Sequence, residues 1–248
     1  MLDKKINNVW KNFNWDIKLS QKGIHLFLCD LDMLKVKYDF FYFLISKEEK
    51  EKAKKFHFER DKICYVTSHG ILRTILSQYL NLHTNKILFE TNDFGKPSLK
   101  NHSRKAVFFN LSHSKDFCLI GINPISDIGV DIEFIKEDFE FENIVERYFV
   151  KNEIDQIFVN PNKELQRQAF YNCWTRKEAF IKAVGKGLSI PLNNFEVEVN
   201  NSRPEIKIYS DSPNKENWKL LPIEINKDYK GAFCTRNINI KIDYWLIY

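Results

Sequence analysis

Apolar residues recur along this chain with two different periods. Within residues 60–80, Leu72, Ile75, Leu76, Tyr79 and Leu80 fall on one face at helical spacing and predict a first long helix. A second is predicted over 163–184, where Leu165, Ala169, Phe170, Cys173, Trp174, Ile181 and Val184 form the stripe and Gly185 and Gly187 supply the stop signal. Elsewhere, short alternating runs bounded by turn residues predict strands at 106–110, 118–122, 127–134, 195–199, 205–209, 218–222, 231–235 and 244–248.

The pattern has a faint internal echo. Leu28-Cys29-Asp30-Leu31-Asp32 reads as a buried strand with alternating carboxylates, followed by Ile45-Ser46-Lys47-Glu48-Glu49 and the first long helix. Ile128-Gly129-Val130-Asp131-Ile132-Glu133 repeats the alternation, and Phe149-Val150-Lys151-Asn152-Glu153 and the second long helix follow. Such self-similarity predicts a duplicated unit. The expected fold class is α+β, with two similar halves at 1–124 and 125–248, each a small, mostly antiparallel sheet packed on a long helix.

Composition narrows the setting. Of 248 residues, 44% are apolar and 15% aromatic, enough for a real core and too many for a disordered chain. With 38 basic against 33 acidic residues, the net charge of +5 suits phosphates or an acidic protein partner and does not call for nucleic acid. Cys29, Cys64, Cys118, Cys173 and Cys234 are odd in number, widely spaced and without a CxxC pair, which argues against a disulfide framework and a zinc site and for a reducing, cytoplasmic setting. The start of the chain has no apolar stretch of a secretory signal, and the strongest apolar run, 40–45, is too short to span a bilayer.

Four clusters carry candidate chemistry. Asp131 and Glu133 stand at i, i+2 on a predicted strand, so both carboxylates share a face. Like charges held that close are relieved by a hard divalent cation such as Mg²⁺ or Mn²⁺; a solvated edge strand gives the same pattern. Glu178 and Lys182 form an i, i+4 pair within Trp174-Thr175-Arg176-Lys177-Glu178-Ala179-Phe180-Ile181-Lys182, which is either a surface ion pair or a third carboxylate with an ammonium beside a phosphate. Asn110-Leu111-Ser112-His113-Ser114 is read as opening a turn after an apolar strand, where hydroxyls, an imidazole and free N–H groups can hold phosphate oxygens. Asn92-Asp93-Phe94-Gly95-Lys96-Pro97 is a turn by composition.

The order and spacing of Gly95-Lys96-Pro97, Asn110-Leu111-Ser112-His113-Ser114, Gly129-Val130-Asp131-Ile132-Glu133, Trp174-x-x-Lys177-Glu178-Ala179-Phe180-x-Lys182 and Gly185-Lys186-Gly187-Leu188 closely resemble the signature series of the surfactin-synthetase-activating type of phosphopantetheinyl transferases. That resemblance, which extends back to residues 46–80, implies a pseudo-dimer with coenzyme A in the cleft between the halves. It implies an enzyme that moves 4′-phosphopantetheine from coenzyme A to a serine of an acyl or peptidyl carrier protein. The internal duplication removes the need for a dimer, so a monomer is expected. By position the resemblance implies Asp131, Glu133 and Glu178 as Mg²⁺ ligands, Ser112, His113 and Lys182 at the phosphates, Gly95, Lys96 and Pro97 along the adenine, and Lys52 at the 3′-phosphate. Glu178, Lys182 and His113 become the expected catalytic groups. Asp30 and Asp32 are expected to be a structural remnant of the acid pair. One departure is Cys64, which stands where members of the family commonly carry an arginine; Arg60, Lys62 and Lys55 are its expected substitutes. Readings without transfer also fit these residues: a coenzyme A-binding protein, a Mg²⁺-dependent nucleotide phosphohydrolase, or a plain interaction domain.

Overall fold

The computed structural model describes residues 6–20, 22–100, 107–200, 202, 204–209, 217–236 and 241–248; Ala106, the first residue of the strand expected over 106–110, lies outside them. The first half runs β1 (Lys11–Asn12), β2 (Ile24–Asp30), α1 (Leu31–Leu34), α2 (Tyr38–Leu44), α3 (Lys47–Ala53), α4 (Glu59–Leu80), β3 (Phe89–Thr91), β4 (Pro97–Leu99), β5 (Phe108–Ser114) and β6 (Phe117–Asn123). The second continues with β7 (Ile128–Phe134), α5 (Glu142–Tyr148), α6 (Lys151–Phe158), α7 (Lys163–Val184), β8 (Phe195–Val197), β9 (Ile206–Ile208), β10 (Lys219–Asn226), β11 (Tyr229–Thr235) and β12 (Ile242–Ile247).

The duplication is metric. β2 and β7 begin at 24 and 128, α2 and α5 at 38 and 142, α3 and α6 at 47 and 151, α4 and α7 at 59 and 163, a constant spacing of 104 residues. β6 and β11 begin at 117 and 229, a spacing of 112. Both sheets use the same order, β2-β6-β5 in one and β7-β11-β10 in the other. A buried ion pair is repeated as well. Glu49 of α3 accepts from Arg73 Nε of α4 at 2.6 Å, and Glu153 of α6 meets Lys177 Nζ of α7 at 2.7 Å. Each cation also donates to two carbonyls of the chain beyond its helix: Arg73 to Thr84 and Ile87, Lys177 to Leu192 and Phe195. A buried charge persists only when paired and hydrogen-bonded, so the same solution at the same register ties each short helix to its long one.

This register corrects the sequence echo. At a spacing of 104, the counterparts of Asp131 and Glu133 are Phe27 and Cys29, both in the core. Strand β2 stops at Asp30, which caps α1 by accepting from Met33 N at 3.1 Å, while Asp32 lies in that helix and pairs with Lys35 at 2.8 Å. The apolar positions on both faces of β2 pulled the sequence comparison three residues out of step.

The layers follow from which faces are apolar. Phe27 and Cys29 of β2 pack with Val66, Ile71, Ile75 and Leu76 of α4, while Leu26 and Leu28 on the opposite face pack with Val130 and Ile132 of β7. Cys173, Ala179, Phe180 and Ala183 of α7 build the core of the second half with Phe195, Val197 and Ala232. The result is helix, sheet, sheet, helix. Strands buried on both faces read as continuous hydrophobic runs. The C-terminal strand β12 crosses to the first half's sheet and pairs parallel with β2. No described helix is long and apolar enough to cross a membrane, and all five cysteines are free.

Candidate active site

The strand β5 runs on through the segment expected to open a turn. Asn110, Ser112 and Ser114 lie inside it, paired in register with Gly121, Leu119 and Phe117 of β6, and the chain turns only at Lys115, whose φ is 51°. The alternation of the strand sends these three polar side chains to one side, where β7 presents its unpaired edge. Val130 N donates to Asn110 Oδ1 at 2.8 Å and Phe134 N to Ser114 Oγ at 3.0 Å. Ser112 Oγ donates to Asp131 Oδ1 at 2.9 Å and Ser114 Oγ to Glu133 Oε2 at 2.8 Å. Side chains thus do across this seam what backbone groups do inside a sheet, and they fix both carboxylates of β7.

The third carboxylate and the ammonium arrive on α7. This helix lies so close to β7 that a Cβ on Gly129 would sit 2.1 Å from Ala179 O and 2.2 Å from Ala183 N. Only glycine allows that approach. It brings Lys182 Nζ to 2.6 Å from Asp131 Oδ1 and 3.0 Å from Ser112 Oγ. Leu111, Ser112, His113, Asp131, Glu133, Trp174, Glu178 and Lys182 line one pocket of about 460 Å³.

Its electrostatics are those of a site short of positive charge. Burial, and after it the charge of Asp131, pushes the Glu133 carboxyl up to about 7. Burial also raises Asp131, against Lys182 and Ser112, and it raises Glu178 together with the charge of Asp131. Burial acts to lower Lys182, but the Asp131 carboxylate, with Glu178 and Glu133 behind it, outweighs burial and holds the ammonium above its ordinary value. Asp131 Oδ2 is buried without a hydrogen-bond partner. Three carboxylates against one ammonium, with an orphaned oxygen among them, suit a hard divalent cation. Among the described residues, no three His, Cys, Asp or Glu side chains are already gathered closely enough to hold an ion.

The remaining expected site residues lie outside this pocket. The loop carrying Gly95, Lys96 and Pro97 is fastened to the end of α7. Lys96 Nζ donates to Ala183 O at 2.8 Å and meets Asp127 Oδ1 at 3.2 Å, and Asn92 Nδ2 donates to Gly185 O at 2.7 Å. These bonds satisfy carbonyls that a helix end leaves open. Lys52 lies over the ring of Tyr65, 5.2 Å from its centroid. His113 also lines a second chamber of about 380 Å³ with Arg60, Asp61, Cys64, Ser114, Lys115, Phe134 and Lys136. The Cys64 position therefore faces three cations, of which Lys115 and Lys136 were not singled out from the sequence, nor were Trp174 and Leu111 as lining or Asn110 and Ser114 as orienting groups. The period-two polar spacing 110, 112, 114 is the signal that would have found the last two.

Two family models match adjacent segments of the chain: residues 34–124 match the N-terminal domain of 4′-phosphopantetheinyl transferases and residues 127–234 the 4′-phosphopantetheinyl transferase superfamily. The chain belongs to that superfamily. The transferase Sfp of Bacillus subtilis is 30% identical over 84% of this chain and 89% of its own length. The transferase gsp of Aneurinibacillus migulanus is 34% identical over 79% of both chains. HetI of Nostoc is 28% identical over 97% of this chain and 99% of its own. All three are named 4′-phosphopantetheinyl transferases. The seam between the two matched segments falls where β6 gives way to β7, so the acid pocket of this superfamily member is built across the junction of its halves.

Proposed function

We propose that this chain transfers the 4′-phosphopantetheine group of coenzyme A to a serine of an acyl or peptidyl carrier protein and releases 3′,5′-ADP. The convergence of Asp131, Glu133, Glu178 and Lys182 in one pocket carries the reading. In this superfamily that pocket suits a pyrophosphate to be cleaved. Asp131, Glu133 and Glu178 would hold Mg²⁺, which supplies neutralisation of the charge that builds up on the phosphates.

The chain's own residues have separable roles. Lys182, ionised over the whole working pH range, holds phosphate oxygens and keeps its charge while the bond breaks. Ser112 and His113 stand at the same wall, and His113, exposed between the two chambers, is placed to meet phosphates in either. Arg60, Lys115 and Lys136 around Cys64 supply the positive charge for the 3′-phosphate. Glu178 takes the proton of the carrier serine; burial raises its carboxyl, which makes it a better base near neutral pH than a solvated glutamate. The serine oxygen bonds to the pantetheine-side phosphorus as the bond from that phosphorus to the bridging oxygen breaks. The electron pair leaves with 3′,5′-ADP. Positioning and charge neutralisation supply most of the rate.

Chromatographic detection of 3′,5′-ADP tests the reaction. Its release should require an apo carrier with an intact serine and stop with the serine-to-alanine carrier. Release of phosphate or nucleotide without any acceptor would instead indicate hydrolysis.

A further inference from the structure

The ammonium of Lys182 is already committed. Nζ lies 2.6 Å from Asp131 Oδ1 and donates to Ser112 Oγ at 3.0 Å, and that hydroxyl in turn donates to the same Oδ1 at 2.9 Å. The three groups close a triangle that joins α7, β5 and β7. Oδ1 takes both donors, while Oδ2 is buried with none. Asp131 is buried, and Lys182 reaches it from a partly exposed position on the helix.

This triangle is not a requirement of the fold. At the spacing of 104, Asp131, Glu133, Glu178 and Lys182 correspond to Phe27, Cys29, Thr74 and Gln78. None of these counterparts carries a charge, and the two on α4 bond elsewhere, Thr74 to Gly70 O at 2.8 Å and Gln78 to Trp15 O at 2.8 Å. The acids and the ammonium are present together in one half and absent together from the other. Lys182 belongs with the acids, not with the packing of the helix.

Two requirements follow from the charges. A buried carboxylate is stable only with a cation beside it, so Asp131 needs Lys182 or a replacement for it. A divalent cation bonded to Oδ1 and an ammonium 2.6 Å from that oxygen would repel each other strongly at such range, so a metal ion that takes Asp131 must move Lys182 off it. Lysine suits such an exchange. Its charge sits at the end of a flexible stem with three rotatable donors, and it can leave one partner for another while α7 stays packed on Gly129. The displaced ammonium is itself costly unless an anion receives it, and a pyrophosphate oxygen is such an anion.

We propose that Lys182 is a placeholder for the metal: it holds Asp131 against a lone divalent cation and releases it when a pyrophosphate gives the ammonium a new partner, so that metal and pyrophosphate enter the site together. The inference rests on reading the acid pocket as a site for Mg²⁺ and pyrophosphate, and not on transfer to a carrier. Metal and coenzyme A then raise each other's affinity by the same factor.

Electron paramagnetic resonance of free Mn²⁺, titrated against the full chain with and without coenzyme A, tests it. Without coenzyme A, Lys182→Met should bind Mn²⁺ at least about tenfold more tightly than the wild type. Coenzyme A should tighten Mn²⁺ binding less in Lys182→Met than in the wild type. Lys136→Met controls for a general field: its charge acts on Glu133 from a distance, and its loss should change Mn²⁺ affinity less than about threefold. Equal or weaker binding in Lys182→Met would overturn the proposal, as would the same tightening in Lys136→Met. No Mn²⁺ bound by any of the three proteins, even with coenzyme A, would instead remove the metal reading itself and the proposal with it. The thermal midpoint checks that Lys182→Met folds; if it does not, Lys182→Gln, which keeps an amide donor for Asp131, takes its place with the same outcomes.

Discussion

Glu178 sits one helical turn before Lys182 and shares its pocket with two other carboxylates, so its charge can serve two ends, proton transfer and phosphate-site architecture. If it takes the serine proton, Glu178→Gln should lower kcat by at least about 100-fold while coenzyme A affinity changes less than about threefold. Losses of equal size in kcat and in binding, the latter measured by calorimetry, would contradict the base role. His25 makes a different residue-level prediction. It is buried, bonded through Nδ1 to the Tyr79 hydroxyl, and has Asp243 of β12 3.7 Å from Nε2. Burial lowers its imidazole to about 4, against the raising effect of Asp243. A folded value below the unfolded one, near 6.5, means that the unfolded chain binds the proton first. Its contribution to stability is therefore complete above pH 6.5 and is lost as the pH falls towards 4, by up to roughly 3 kcal/mol. Thermal midpoints should drop over that window more steeply in the wild type than in His25→Gln; parallel curves would contradict this.

Among the elements, the contact of α7 with β7 decides whether the site exists. Gly129 leaves no room for a methyl group, so Gly129→Ala should push the helix outward. The expected cost is about 1–3 kcal/mol of stability, read from denaturant midpoints, with a loss of activity larger than the stability loss explains, because Lys182 and Glu178 move away from Asp131 together. Full activity with a normal midpoint would contradict the close-packed arrangement. The two long helices were legible in the sequence from their apolar stripes, and α7 ends at Val184 as its glycine predicts. β5 was read short because Asn, Ser and His are poor strand residues. Asn110, Ser112 and Ser114 occur there because their side chains, not an apolar face, join β5 to β7.

At the scale of the whole molecule, the duplication was visible but out of register. Periodicity can report that two segments are alike; the starts of the paired elements and the repeated ion pairs Glu49–Arg73 and Glu153–Lys177 together set the spacing at 104. The acids and Lys182 were legible from their motifs. Of the cations in the second chamber around Cys64 only Arg60 was legible, since Lys115 and Lys136 come from elements distant from it in sequence. β12 crosses into the first sheet, so the halves are interlocked rather than strung in sequence, and the acid pocket at their junction is held from both sides. The most direct test of the account is the intact mass of an apo carrier protein incubated with this chain, coenzyme A and Mg²⁺. The account predicts a gain of one phosphopantetheine, abolished by EDTA and by Asp131→Ala. An unchanged mass across several unrelated carriers, with coenzyme A binding intact, would contradict it.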